Sequence, residues 1–178
     1  MKYCSQCAAP VVFRVPSGDT LKRHVCDVCG EIHYQNPRII TGCIPEWQGR
    51  ILLCRRAIEP RHGLWTIPAG FMENGETVEQ AAMRETLEEA CANVEISELY
   101  AVYNIPHVNQ VYMIFRANLV EEDFAPGVES LETVLFEEAD IPWDEMAFPV
   151  VVRSLQRFFA DRPGNRFPPF VDTIVPQH

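Results

Sequence analysis

Short dense apolar runs and two longer helical patterns divide the chain. Arg38–Glu46 and Arg50–Arg56 are β-rich, and Gln48-Gly49 between them predicts a hairpin turn. Cys43 and Cys54 sit inside these strands as small hydrophobes. Leu64–Pro68 reads as a short strand carrying Trp65. From Thr77, a good N-cap with Gln80 completing a capping box, residues up to about Ala92 are nearly all helix formers. Asn93, tolerant of the left-handed conformation, is expected to stop that helix. Val94–Ile105 and Gln110–Val120 read as strands flanking a Pro106–Asn109 loop, and Thr133–Phe136 as another strand. Val151, Leu155, Phe158 and Phe159 recur at helical spacing and predict a core-facing helix from about Phe148 to Ala160. The Pro- and aromatic-rich tail from Arg162 is expected to add an edge strand or pack on a neighbour. Strands, helix, strands, helix in that order predict an α/β sandwich with a mixed sheet, residues 37–178.

The first 36 residues follow a different logic. Cys4-x2-Cys7 and Cys26-x2-Cys29 stand eighteen residues apart, with VVFRVPSGDTLKRHVC between them reading as strand, turn, strand. This is the spacing of a Cys4 zinc ribbon, in which two knuckles bring four thiolates into a tetrahedron. So short a unit has almost no core, and the metal supplies its folding energy. With four cysteines closing the site, His24 and His33 are read as bystanders.

Charge narrows the possible partners. The chain carries a net −10, which argues against an electrostatic nucleic-acid binder. The ribbon itself holds Lys2, Arg14, Lys22 and Arg23 against Asp19, Asp27 and Glu31, a weak footprint for a polyanion. A structural or dimer-forming role suits it better. No apolar run is long enough to span a bilayer, which speaks against a membrane partner. Seven cysteines and no export signal at the N-terminus lead to the expectation of a reducing, cytoplasmic protein.

The helix beginning at Thr77 works against itself. Glu85, Glu88 and Glu89 stand at i, i+3 and i+4 on one face, and such like-charge pairs cost roughly 0.4–1 kcal/mol together. Two of them lie in the last turn, where the macrodipole disfavours negative charge. A conflict of this kind is expected where function outranks stability, and a divalent cation held by the carboxylates would resolve it. Without one, repulsion should splay them. An ordinary acidic surface would explain three glutamates on a helix. It does not explain the spacing Gly70, Glu76, Arg84-Glu85, Glu88-Glu89, which arises by chance on the order of once in 10⁵ chains of this length.

That spacing resembles the Nudix box, and the chain resembles a Nudix hydrolase. Thr86, Cys91 and Ala92 depart from the box at positions that carry no metal chemistry in the family. Together with the ribbon, the stretches YQNPRIITGC, RHGLWTIPAGF and APGVESLETVLF look like the zinc-ribbon Nudix hydrolases of the plant chloroplast type, which split FAD and ADP-ribose. The resemblance implies a Nudix α/β/α sandwich and metal-dependent hydrolysis of a pyrophosphate: FAD to FMN and AMP, or ADP-ribose to AMP and ribose 5-phosphate. It implies Mg²⁺ or Mn²⁺ held by Glu85, Glu88, Glu89 and the Gly70 carbonyl, with Arg84 orienting the carboxylates and Glu76 pairing with Arg84. The general base is Glu89 or a downstream glutamate, Glu129 ahead of Glu132. A homodimer is also implied.

Substrate contacts rest on the residues alone. Arg55 or Arg56, at a strand end, could take a phosphate in bidentate fashion. His107 is a loop candidate; Phe71, Trp65 and Tyr103 are candidates for stacking on a base, although large aromatics are more often core. NADH ranks below FAD and ADP-ribose, because CANVEISELYAVYNIP lacks the aromatic- and Pro-rich motif of the NADH-cleaving branch. The competing class is a nucleotide-sensing module without turnover, against which the complete set of box carboxylates argues.

Overall fold

A computed structural model describes residues 1–176. It divides into two compact units, Met1–Pro37 and a second beginning at Arg38. The first unit is a three-stranded antiparallel sheet: β1 (Val11–Arg14), β2 (Arg23–Cys26) and β3 (Ile32–His33). The β1–β2 connection turns at Pro16–Asp19, where the Asp19 amide donates to the Pro16 carbonyl at 3.2 Å.

The second unit opens with β4 (Arg38–Trp47) and β5 (Arg50–Arg56). Gln48 and Gly49 both have positive φ, 49° and 84°, as a two-residue turn between twisted strands requires. Only two residue pairs, Glu46–Ile51 and Trp47–Arg50, join these strands. Beyond them the pair opens, and the short strands β6 (Trp65–Thr66) and β7 (Ala69–Phe71) line β5 and β4 respectively. Helix α1 (Val78–Ala90) follows, then β8 (Val94–Ile105) and β9 (Gln110–Leu119). Strand β10 (Ser130–Phe136), helix α2 (Pro149–Asp161) and β11 (Phe170–Thr173) complete the fold. The sheet order is β10-β5-β4-β9-β8-β11, with parallel pairing at β4–β9 and β8–β11 and antiparallel pairing elsewhere along that path. The mixed sheet matches the expectation.

Alternation along β5 shows why the sheet carries a helix on each face. Ile51 and Leu53 join the cluster of Val150, Leu155 and Phe158 from α2, whereas Leu52 and Cys54 join the cluster of Ala82 and Ala90 from α1. Small inward residues, Ala81, Ala82 and Ala90, let α1 lie close to the sheet. Thr86, at a box position that is apolar in the family, is buried without strain. Its hydroxyl donates to the Ala82 carbonyl at 2.8 Å, and Cys43 Sγ lies 3.0 Å away.

Two boundaries differ from the reading above, and the tail follows one of its two expectations. The first helix stops at Ala90, and Cys91, not Asn93, adopts the left-handed conformation (φ 48°, ψ 30°). Its amide donates to the Leu87 carbonyl, while the Gly127 and Ala125 amides from a distant loop take the Glu89 and Ala90 carbonyls. With those carbonyls satisfied from outside, no extra turn is needed. Strand β10 begins at Ser130 instead of Thr133, because its pairing with Arg56 extends that far. The tail forms an edge strand, β11, parallel to β8 and held by an Arg153–Asp172 ion pair of 3.0 Å. Among the described residues no helix is long and apolar enough to cross a membrane.

Candidate functional site

Strand β7 delivers the chain to the start of α1, and Arg84 ties the two together. Its Nε and Nη2 donate to the two Glu76 oxygens at 3.0 and 2.8 Å, and Nη2 also donates to the Phe71 carbonyl at 3.0 Å. Nη1 reaches Glu85 at 2.7 Å and Glu88 at 3.0 Å. One guanidinium therefore fixes the loop and two of the three helix carboxylates. The hydrogen bonds from Arg84, helped by the Glu73 amide, hold the Glu76 carboxyl down to about 2. Thr77 caps the helix in a full capping box with Gln80.

Glu85 and Glu89 are buried, and burial raises both carboxyls. Glu89 is pushed up to about 8 by burial, against a single favourable hydrogen bond from the Ala69 amide at 3.2 Å. No arginine touches it, and the last turn of α1 contains no basic residue. Gly70 gives close approach beside them: a Cβ there would displace the Glu85 carboxyl group, which Arg84 holds.

These groups line one wall of a cavity of about 1050 Å³. Arg56, Arg61, His107 and Glu129 line other parts of it, as do Phe71 and Tyr112. Of the sequence candidates, the structure brings Gly70, Arg84, Glu85, Glu88 and Glu89 to the cavity, and with them Arg56, His107 and Glu129. Glu76 stands behind Arg84.

Four candidates lie elsewhere. Consecutive strand residues face opposite ways, so only one of Arg55 and Arg56 can face the cavity. It is Arg56; Arg55 donates to the Gly63 carbonyl at 2.9 Å and pairs with Glu132 at 3.5 Å. Glu132 is thereby occupied too, beyond a register shift that puts Ser130 opposite Arg56 and Glu132 opposite Arg55. Tyr103 is fully buried, edge-on to Phe170 of β11 with ring centroids 5.5 Å apart. Trp65 is buried against Phe136. Arg61 and Tyr112 were not singled out from the sequence. Arg61 lies in an irregular loop, and Tyr112 in a strand apolar on both faces, so no periodicity marks either.

The oxygen donors here, three carboxylates and the Gly70 backbone, suit a hard divalent cation, and two buried carboxylates sharing one arginine, which reaches Glu85 and not Glu89, are what such an ion would neutralise. The carboxylates are held apart: among the described residues, only Cys4, Cys7, Cys26 and Cys29 bring three or more ligand atoms within 4.8 Å of one another. In that ribbon cluster Cys4 and Cys29 Sγ lie 3.6 Å apart, and Cys7 and Cys26 Sγ 3.5 Å, close to the edge of a tetrahedron with zinc–sulfur bonds of about 2.3 Å. His24 and His33 pair across β2 and β3 and stand outside the cluster.

Comparison with known proteins agrees with this geometry. Residues 36–157 match the family model of the NUDIX domain, and residues 2–35 match that of the Nudix N-terminal zinc ribbon. The chain belongs to the Nudix hydrolase family. A crystal structure of a NUDIX hydrolase from Nitrosomonas europaea is 56% identical, superposes with a TM-score of 0.95, and is matched over 98% of this chain and 99% of that one. The NAD-capped RNA hydrolase NudC of Photobacterium profundum is 30% identical over 141 residues, 77% of this chain and 50% of the relative. The ADP-ribose pyrophosphatase of Methanocaldococcus jannaschii is 42% identical over 52 residues, 29% of this chain and 31% of the relative. The chain spans half or less of the length of these curated relatives. The family is one of pyrophosphohydrolases that use divalent metal.

Proposed function

We propose that this Nudix enzyme hydrolyses the pyrophosphate of an ADP-linked small molecule, with ADP-ribose as the favoured substrate, giving AMP and ribose 5-phosphate. The observation that carries the reading is the pair of carboxylates raised by burial, Glu85 and Glu89, facing a cavity of about 1050 Å³ that Arg56 and Arg61 also line. That volume lies at the upper end of small-molecule sites and accommodates a dinucleotide-sized ligand. A relative named for ADP-ribose supports the choice within the class.

Glu85, Glu88, Glu89 and the Gly70 carbonyl would hold Mg²⁺ or Mn²⁺, which when bound would add positive charge beside the pyrophosphate to that of Arg56 and Arg61. The protein's own groups do the rest. Arg84 holds Glu85 and Glu88 in orientation, and Glu76 locks Arg84. Arg56 and Arg61 bind non-bridging phosphate oxygens and stabilise charge that grows as the bond breaks. Glu129 takes the proton of the attacking water; Glu89, already near neutrality in its affinity for a proton, is the second candidate for that task. Phe71, 44% exposed on the cavity wall with the Arg38 guanidinium 4.7 Å from its ring centroid, offers a face to a planar ring.

A second reading, cleavage of NADH to AMP and the reduced nicotinamide mononucleotide, is favoured by a relative matched over 77% of this chain, which is named for NAD-capped RNA. FAD, giving FMN and AMP, is the third member of the class. Measuring kcat/KM with Mg²⁺ on all three separates them. The proposal expects ADP-ribose to lead, with a value in the ordinary enzyme range of about 10⁴ M⁻¹s⁻¹ or more. A lead for NADH replaces it with the second reading. No turnover of any of the three, in folded protein, sinks the ADP-linked substrate class and leaves the nucleotide-sensing alternative.

A further inference from the structure

The segment Ala125–Glu129 is joined to the end of α1 by main chain alone. The Ala125 amide donates to the Ala90 carbonyl at 2.9 Å, and the Gly127 amide to the Glu89 carbonyl at 3.1 Å. Between these bonds the Cα of Gly127 lies flat against the last turn of the helix. A Cβ at residue 127 would overlap the Glu88 carbonyl oxygen, with the Glu88 carbonyl carbon at 2.8 Å and that of Glu89 at 3.3 Å. All three atoms belong to helix backbone, which cannot step aside as a side chain can. Gly127 is not among the residues with positive φ, so it is steric room and not torsional freedom that the position demands.

The same segment is pinned on its other side. The Glu129 carbonyl accepts from the Ala57 amide at 2.8 Å, just past the end of β5, and the Ser130 amide donates to the Gly127 carbonyl at 3.0 Å. Glu129 is thus suspended between two fixed points, the carboxyl end of α1 and the end of the strand that carries Arg56. Its side chain lines the same cavity as Glu85 and Glu89. Val128, between the two, is 97% exposed and supplies no packing that could hold the segment. The placement of Glu129 therefore rests on backbone contacts, and the closest of them exists only because residue 127 has no side chain.

We infer that Gly127 is a positioning residue for hydrolysis: its close contact with the Glu88–Glu89 backbone sets the distance between Glu129 and the carboxylates of α1. The inference builds on the proposed role of Glu129. It predicts a defect in the chemical step and not in substrate binding, because the groups proposed to hold the phosphates, Arg56 and Arg61, lie on other segments. Displacement of a reacting group by about 1 Å costs on the order of 10²-fold in rate.

The test is a double-mutant cycle on AMP release from ADP-ribose with Mg²⁺, using Gly127→Ala, Glu129→Gln and the pair. Gly127→Ala is expected to lower kcat on the order of 10²-fold with KM within about threefold of wild type. The pair is expected to be no slower than Glu129→Gln alone, since a displaced residue that is already disabled has nothing further to lose. Wild-type kcat in Gly127→Ala, or losses that multiply in the pair, overturns the inference. A merely structural role for Gly127 would produce the multiplying losses. Pro126→Gly frees the same segment without adding an atom, and serves if Gly127→Ala does not fold. It is expected to lower kcat severalfold, again with no further loss in the Glu129→Gln background, and unchanged kcat overturns the inference. Full activity of Glu129→Gln itself instead removes the role of Glu129, a failure of the underlying reading that this design tells apart.

Discussion

Replacing Glu89 by glutamine is expected to slow AMP release by a factor on the order of 10²–10⁴, while making the metal-free protein harder to unfold. The two effects have one origin. Burial pushes the Glu89 carboxyl from its ordinary 4.5 to about 8, so between those pH values the native state holds a proton that the unfolded chain has released. Stability then falls as pH rises through that window, and the contribution present below pH 4.5 is gone above pH 8. At about 1.4 kcal/mol per pH unit, the loss across the window is at most roughly 4–5 kcal/mol. Burial raises Glu85 as well, which adds to the same slope. Glu76, held at about 2, acts only below pH 4.5 and with the opposite sign. Glutamine carries no such proton. Thermal unfolding without divalent cation should show the variant exceeding wild type at pH 8 and the two converging toward pH 4.5. A variant less stable than wild type at pH 8 would mean that the charge of Glu89 is compensated in a way the burial of its carboxyl does not reveal.

Zinc removal is the second large effect. The ribbon buries few side chains beyond Cys4, Val25, Cys26 and His33, and leaves Tyr3, Phe13, Leu21, Val28 and Tyr34 exposed. So little apolar burial cannot offset the entropy of ordering thirty-seven residues. Four thiolates on zinc can, with binding free energies of about 10–16 kcal/mol in comparable small domains. Freshly purified protein should hold one zinc per chain. Stripping it with a thiol-directed reagent should collapse the amide signals of β1–β3 to random-coil positions, while those from Arg38 onward, which have their own two-sided core, keep their dispersion. Native shifts for residues 11–33 in zinc-free protein would contradict this account of the ribbon.

Local signals proved legible and long-range ones did not. The capping box at Thr77 and Gln80, the helical spacing of Val151, Leu155, Phe158 and Phe159, the Gln48-Gly49 turn and the cysteine spacing are each decided by residues a few positions apart. The helix stop is not: Cys91 ends α1 where it does with carbonyls taken by Ala125 and Gly127, more than thirty residues later. Arg55 and Arg56 could be separated only by strand parity, and parity needs the register with β10. Glu129 and Glu132 diverge because a register shift lies between Ser130 and Glu132, which no composition announces. Tyr103 is removed from the candidates by β11, an edge strand formed by a tail nearly seventy residues away. The box itself was readable because its glutamates violate helix preferences, and the structure shows that violation as two buried carboxylates, one of them without a cationic partner.

The central claim, that the α1 carboxylates act with a divalent cation on an ADP-linked pyrophosphate, meets its most direct test in one measurement. Wild-type protein and Glu85→Gln are incubated with ADP-ribose, each with Mg²⁺ and with a chelator, and AMP and ribose 5-phosphate are followed together. The account predicts equal amounts of both products from wild type with Mg²⁺, and a rate lower by on the order of 10²-fold or more when either the cation or the Glu85 carboxylate is removed. AMP release that is undiminished in the chelator, or in Glu85→Gln, would contradict it.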